Sequence, residues 1–310
     1  MVEGHQCHRL AILHRAKLVG KAFKATSPNG RWGVIRDPTG FLAHQLARPD
    51  PLTHSLAPSR PRSRASSRFS DGARLISDRC VSDIAPARTP RPSHNAPLTH
   101  SPHDPAPRST LRRIEVIGKN LFYFFDAPKP QADNETVVHI HFGMSGRFTF
   151  VDEADAPPPK ETTRLELRGH GLVGQLSAMT VQHGGLDLFE SKRRALGQDP
   201  VRDDAVADLA WDKVKGSKKS IGSLVMDQSV VAGVGNIYRA ELLFKAGIHP
   251  DVPGHTLTKT QFMDGVWHHA KDLLHRGVVS GSIVTVDEAE GLGPPWTRRY
   301  IYNQTSCGGY

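Results

Sequence analysis

Leu10, Leu13 and Ala16 recur at helical spacing with Ile12 beside them, and Gly20 stands where such a helix would stop. The helix this predicts opens almost at the first residue, which places the chain terminus at its N-terminal end. From Ile114 onward the period becomes two. Leu121 to Phe125 is an aromatic-rich run, Val138, Ile140 and Phe142 alternate with His139 and His141, and Leu165 and Leu167 alternate with Arg164, Glu166 and Arg168. Several short strands separated by turns predict a sandwich or barrel. An Asp-rich loop over about 197–208 then leads into a helical half. There Ile221, Leu224 and Val225 mark a short helix ending near Gln228. Ile237, Ala240, Leu243 and Phe244 mark a second, closed by Gly247 and followed by Pro250.

The tract between the first helix and the strands has a different texture. Twelve of the 23 prolines fall between Asp37 and Pro107, among Arg, Ser and His, with little periodicity. Such a composition buries too little apolar surface to offset the entropy of ordering. Two disordered insertions are expected, near 33–66 and 82–112, flanking a stretch from Arg68 to Ile76 that reads as ordinary folded sequence. The string Pro51-Leu52-Thr53-His54-Ser55 recurs at Pro97-Leu98-Thr99-His100-Ser101, too short a match to mark a repeat fold.

Between the two later helices runs Ser229-Val230-Val231-Ala232-Gly233-Val234-Gly235-Asn236. Its glycines permit unusual backbone angles and close approach by another molecule. Asn236 is placed to cap the following helix, whose free N–H groups would form a phosphate site. The residues alone thus predict a helical hairpin with an anion-binding tip; a plain helix–turn–helix with a glycine-rich turn is the other reading.

Charge fits the first reading. Lys plus Arg number 40 against 31 Asp plus Glu, and a net charge of +9 favours a polyanionic partner. Cys7, Cys80 and Cys307 lie too far apart for a disulfide framework or a complete zinc site, so free thiols in a reducing compartment are expected. No apolar run approaches the roughly 20 residues of a membrane span, and the N-terminus lacks the apolar core of a signal peptide. The expectation is an intracellular protein without a membrane partner, cofactor or metal.

The stretch Asp227-Gln228-Ser229-Val230-Val231-Ala232-Gly233-Val234-Gly235-Asn236-Ile237-Tyr238, continuing through Glu241 and Gly247-Ile248-His249-Pro250, resembles the helix–two-turn–helix signature of the formamidopyrimidine-DNA glycosylase and endonuclease VIII family. Met1-Val2-Glu3-Gly4-His5 resembles that family's N-terminus. Gly118-Lys119-Asn120-Leu121-Phe122 resembles its lysine-bearing hairpin, and Phe142-Gly143-Met144-Ser145-Gly146 its damage-probing loop. The resemblance implies an α+β chain: an N-terminal β-sandwich flanked by helices over 1–196, then a helical helix–two-turn–helix domain over 197–310. It implies damaged DNA, duplex or single-stranded, as the partner of a monomer that removes oxidised bases by base excision and then cleaves the abasic site through a Schiff base. The roles implied are Val2 as the amine nucleophile, Glu3 as the proton shuttle and Lys119 as a cation near the lesion. Met144 would be a wedge filling the hole left by the flipped base, with Lys218, Gly235 and Asn236 contacting DNA.

An α-amine suits such chemistry because it titrates near 7.7–8.0, whereas a lysine near 10.4 needs a shift of about 3 units. Two departures qualify the likeness. Valine replaces the family's usual second residue, proline, as in the eukaryotic endonuclease VIII-like branch; its primary amine gives an imine that must hold a proton to act as an electron sink, which weakens the lyase step. The run from Arg299 to Gly308 resembles the entry to a C-terminal zinc finger, yet Cys307 alone supplies no tetrahedral site, and His249, His255, His268 and His269 read as surface or helix residues. The finger is therefore expected to be missing, and a non-catalytic damaged-DNA-binding protein is the alternative to an enzyme. Because the second residue must react, no cleavable presequence is expected, and the compartment would be the nucleus or a DNA-containing organelle.

Overall fold

A computed structural model describes residues 2–29, 108–126, 135–288 and 299–304. By contacts the chain divides into one unit of 1–49 with 106–310 and another of 50–105. The second unit lies wholly outside the described residues. So do most of the two expected insertions, the Arg68–Ile76 stretch, Cys80 and Cys307.

Helix α1, Gly4–Leu18, is followed by β1, Ala22–Thr26. Strands β2, Ser109–Ile117, β3, Asn120–Asp126, and β4, Glu135–His141, form a meander. Ser109 to Arg112 therefore belong to a strand, and the second expected insertion was drawn too far. Leu111 is fully buried in the core, which its Arg- and Pro-rich neighbourhood conceals from a compositional reading. Strands β5, Arg147–Asp152, β6, Leu165–Gly169, β7, Leu172–Ser177, and β8, Thr180–Gly184, complete the set. All pairings are antiparallel, in the order β5-β7-β6-β1-β2-β3-β4-β8. The core of this half joins Leu18, Phe23, Leu111, Ile114, Leu121, Tyr123 and Ile140 to Phe148, Leu165 and Leu176.

Helix α1 departs from the apolar stripe expected of it. Ile12 and Leu13 are about half exposed, whereas His5, His8 and His14 are buried with Cys7, Ala11 and Leu18. The face turned inward is polar because each histidine finds a partner there. His5 Nδ1 lies 3.0 Å from Tyr238 Oη, His8 Nε2 lies 2.7 Å from Asp199 Oδ2, and His14 Nδ1 lies 2.7 Å from Tyr123 Oη. A satisfied buried polar group escapes the desolvation cost that would otherwise expel it. The same holds for His139 and Glu166, which alternate with the apolar positions of their strands yet are buried. His139 stacks on Phe122 and bonds Asn120, and Glu166 accepts from Arg168 and Gln175.

The helical half begins with α2, Leu186–Ala195, on the sheet, where Phe189 packs against Phe122 and Phe124. Then come α3, Ala207–Val214, the short α4, Ile221–Leu224, and α5, Asn236–Lys245. A π-helical stretch, Gln261–Trp267, runs into α6, His268–Ser280. Their apolar faces share a second core, including Leu224, Val231, Val234, Tyr238, Leu242, Phe262 and Leu274. No helix among the described residues is long and apolar enough to cross a membrane.

Candidate active site

The loop from 229 to 235 is held by Asp227, which accepts from the Ser229 N–H and hydroxyl, and by Gln228. Gln228 donates from Nε2 to the carbonyls of Met226 and Val234 and accepts the Gly233 N–H at Oε1. Val230, Val231, Ala232 and Val234 are buried, so the loop is anchored by apolar contacts as well. The loop delivers Gly235 as the residue that opens α5, with Asn236 the first residue inside the helix. Asn236 is thus not the cap expected of it, and its side chain has no hydrogen-bond partner among the described residues.

The N-terminus of α5, expected to offer its N–H groups to a phosphate, has one of them engaged within the protein. Its Ile237 N–H donates to Glu3 Oε1 at 3.2 Å. The anion at this positive helix end is the protein's own carboxylate, which the helix dipole stabilises there. Glu3 is fully buried, and Lys119 Nζ stands 3.5 Å from its Oε2. That separation makes an ion pair without a well-formed hydrogen bond, and Oε2 has no hydrogen-bond partner among the described residues. Burial pushes the Glu3 carboxyl above the usual carboxylate range, against the downward pull of Lys119 and of the Ile237 and Gly235 N–H groups. A buried carboxyl of raised pKa beside one cation is suited to taking up and returning a proton.

Lys119 sits in the turn between β2 and β3, its side chain largely buried, rather than on an exposed strand end. Val2 leads into α1, its nitrogen 3.4 Å from the Gly143 carbonyl, while Gln6 Oε1 accepts the Glu3 N–H at 2.9 Å. Beside them lies a cavity of about 660 Å³ whose walls include Val2, Gln6, Met144, Arg147, Thr149 and Gln175. That volume falls within the range of small-molecule sites. Val2, Glu3, Lys119 and Gly235 are therefore brought together. Met144 stands at the rim with 65 % of its surface exposed. Lys218 is exposed in the connection between α3 and α4.

Three residues of this region carried no sequence signal. Met179, in the β7–β8 turn, is as exposed as Met144 and packs its side chain over Gly143. Only an apolar residue at the tip of a tight turn could have marked it. His141 pairs across the strands with Asn120, and its Nδ1 is buried without a partner among the described residues. Burial, with Lys119 and Lys192 nearby, holds its pKa down. Asp199, one of several carboxylates in the Asp-rich loop, is buried against α1 and the Lys119 turn.

Residues 196–288 match the family model of the formamidopyrimidine-DNA glycosylase H2TH domain. The chain is 27 % identical over 326 residues to Endonuclease 8 1 of Mycobacterium tuberculosis, covering 100 % of this chain and 92 % of that protein. It is 30 % identical over 206 residues to formamidopyrimidine-DNA glycosylase of Bacillus licheniformis, covering 64 % of this chain and 66 % of the relative. The fold matches the Lactococcus lactis Fpg solved in complex with abasic-site DNA, with a TM-score of 0.59 at 17 % identity over 91 % of this chain and 80 % of that one.

Proposed function

The chain belongs to the formamidopyrimidine-DNA glycosylase and endonuclease VIII family, and from that premise we infer that it is a base-excision-repair DNA glycosylase with AP lyase activity. The relatives are an Endonuclease 8 and a formamidopyrimidine-DNA glycosylase, and the Lactococcus protein is bound to abasic-site DNA in its structure. The observation that carries the reading to this chain is the buried Glu3. Its carboxylate is shared between Lys119 and the N-terminus of α5, and the residue before it, Val2, lines the 660 Å³ cavity.

With Met1 removed, the Val2 nitrogen becomes a primary amine at the cavity wall. It attacks C1′ of a nucleotide turned out of the duplex. The N–C1′ bond forms as the glycosidic bond breaks, and the base departs with the electron pair and a proton. Opening of the sugar ring then leaves an imine. Glu3 supports this step by passing a proton between the amine and the ring oxygen, since its unpartnered Oε2 faces the same space as Lys119. Protonation of the imine allows loss of the proton at C2′ and departure of the 3′ phosphate, which is the lyase step. Lys119 offers charge to the phosphate beside the lesion, and Met144 is the apolar wedge for the vacated stack. Asn236, with its free side chain, and Lys218, exposed nearby in sequence, supply phosphate contacts. We propose a monomer acting in the nucleus or a DNA-containing organelle; that Val2, Glu3 and Lys119 come from one chain supports the monomer.

Borohydride trapping on a duplex containing an abasic site tests the reading. The expected adduct joins DNA to the peptide beginning at Val2. An adduct at any lysine, with Val2 unmodified, would remove the assigned nucleophile, and no adduct at all would favour a protein that binds damage without chemistry.

A further inference from the structure

Three glycines from separate parts of the chain meet backbone to backbone. A Cβ at Gly4 would lie 2.7 Å from the Gly233 Cα, and one at Gly118 would lie 2.6 Å from the Gly233 nitrogen. Gly118 and Gly233 also have φ of +58° and +102°, which other residues rarely adopt. The contact thus joins the start of α1, the turn that carries Lys119 and the loop before α5 at distances no side chain permits.

Asp199 lies against this junction, 3 % exposed. Its Oδ2 accepts the Gly118 N–H at 2.6 Å and lies 2.7 Å from His8 Nε2, while Oδ1 accepts the Val201 N–H at 3.1 Å. Its own segment is bonded to the loop, with Gly197 N–H donating to the Gln228 carbonyl and Ala232 N–H to the Gln198 carbonyl, both at 2.8 Å. One carboxylate therefore ties α1 through His8 and the Lys119 turn through Gly118 to the strand-like edge of the loop that ends at Gly235.

We infer that Asp199 is a positioning residue, setting the spacing of Glu3 and Lys119 over Gly235 without touching DNA. Its partners explain why. Gly118 immediately precedes Lys119, His8 is on the helix that Glu3 opens, and Gly233 is two residues before Gly235. A charged acceptor is required because one oxygen serves two groups at short distance, and such bonds are about twice as strong as neutral ones. Shortening the side chain leaves a buried N–H of Gly118 unpaired and frees the turn to shift.

The inference rests on the glycosylase and lyase reading, and the test separates the two. Single-turnover trapping rates on abasic-site duplex are measured alongside affinity for a duplex carrying a tetrahydrofuran abasic analogue, for the wild type, Asp199→Ala and Asp199→Asn. An ångström of misplacement costs a rate of about 100-fold, so the alanine variant should lose about that factor in rate with affinity within about threefold. The isosteric asparagine keeps an oxygen for Gly118 but turns an NH₂ toward the Val201 N–H, so it should lose only about three- to tenfold. Wild-type rates in both variants, or rate and affinity falling in parallel, overturn the positioning role. If the alanine variant does not fold, the asparagine variant decides: a wild-type rate overturns the role. Absence of trapping by the wild type would instead overturn the reading of the site itself, and the positioning role with it.

Discussion

Lys119 and Glu3 face each other at 3.5 Å across the backbone of Gly235, where any Cβ would collide with both the carboxylate and the ammonium. The glycine is therefore a steric requirement of the pair rather than a turn residue alone. Gly235→Ala should keep the fold, since its N-cap angles suit other residues, yet force Glu3 and Lys119 apart. The expected result is a loss of roughly 100-fold in single-turnover trapping. A variant with unimpaired trapping would show that the pair tolerates separation.

Glu3→Gln separates chemistry from stability. The Glu3 pKa is raised in the folded state, mainly by burial. A carboxylate in that position contributes stability when protonated and loses it as pH rises through its folded pKa, so at neutral pH the charge is a burden. The glutamine variant should trap abasic DNA about 10²- to 10⁴-fold more slowly while melting no lower than the wild type at pH 7. A lower melting temperature in calorimetry would mean that pairing with Lys119 outweighs desolvation.

Acid should unfold the protein through its buried histidines. Burial holds His5, His14 and His139 down at about 4, below the roughly 6.5 of an unfolded chain. The unfolded state thus takes up protons first, and stability falls as pH drops from about 6.5 toward 4, by up to about 3 kcal/mol per ring. Urea unfolding across pH 8 to 4 should show a plateau above 7 and a steep decline below 6.5. Constant stability down to pH 5 would show that these rings are not held neutral.

Lys218→Ala and Asn236→Ala should weaken binding to damaged and undamaged duplex alike, because phosphate contacts carry no base information. For Lys218 the slope of log affinity against log salt should drop by about one. Selective loss on one lesion would instead assign these residues to base recognition.

The parts of the fold legible in sequence were those that apolar spacing locates along the chain, even where burial departs from that spacing at His139 and Glu166. Strands β3, β4 and β6 and the helices around Leu224 and Leu243 lie where alternation and helical period put them. Helix α1 was placed but its inward face was misjudged, because His5, His8 and His14 owe their burial to Tyr238, Asp199 and Tyr123, residues 109 or more positions away. Asp199 was indistinguishable from Asp203, Asp204 and Asp208 of the same loop for the same reason: which carboxylate is buried depends on donors far along the chain. Val2, Glu3, Lys119 and Gly235 were singled out through their motif contexts, not through any spacing of their own. At the helix end read as a phosphate site, the Ile237 N–H is engaged by Glu3, a contact that periodicity cannot show.

The occupancy of that helix end by Glu3 sets a limit on modularity. The sheet-bearing half supplies the carboxylate and the helical half supplies the N–H that holds it, so neither carries a finished centre. Exchange of the helical half with that of a relative would succeed only if the incoming helix presented its first turn to Glu3 at the same place. Such chimaeras would have to rebuild this hydrogen bond together with the contacts beside it, His5 with Tyr238, His8 with Asp199 and Gly4 N–H with the Gly233 carbonyl, so recombination between the halves is constrained by polar geometry as well as by apolar fit.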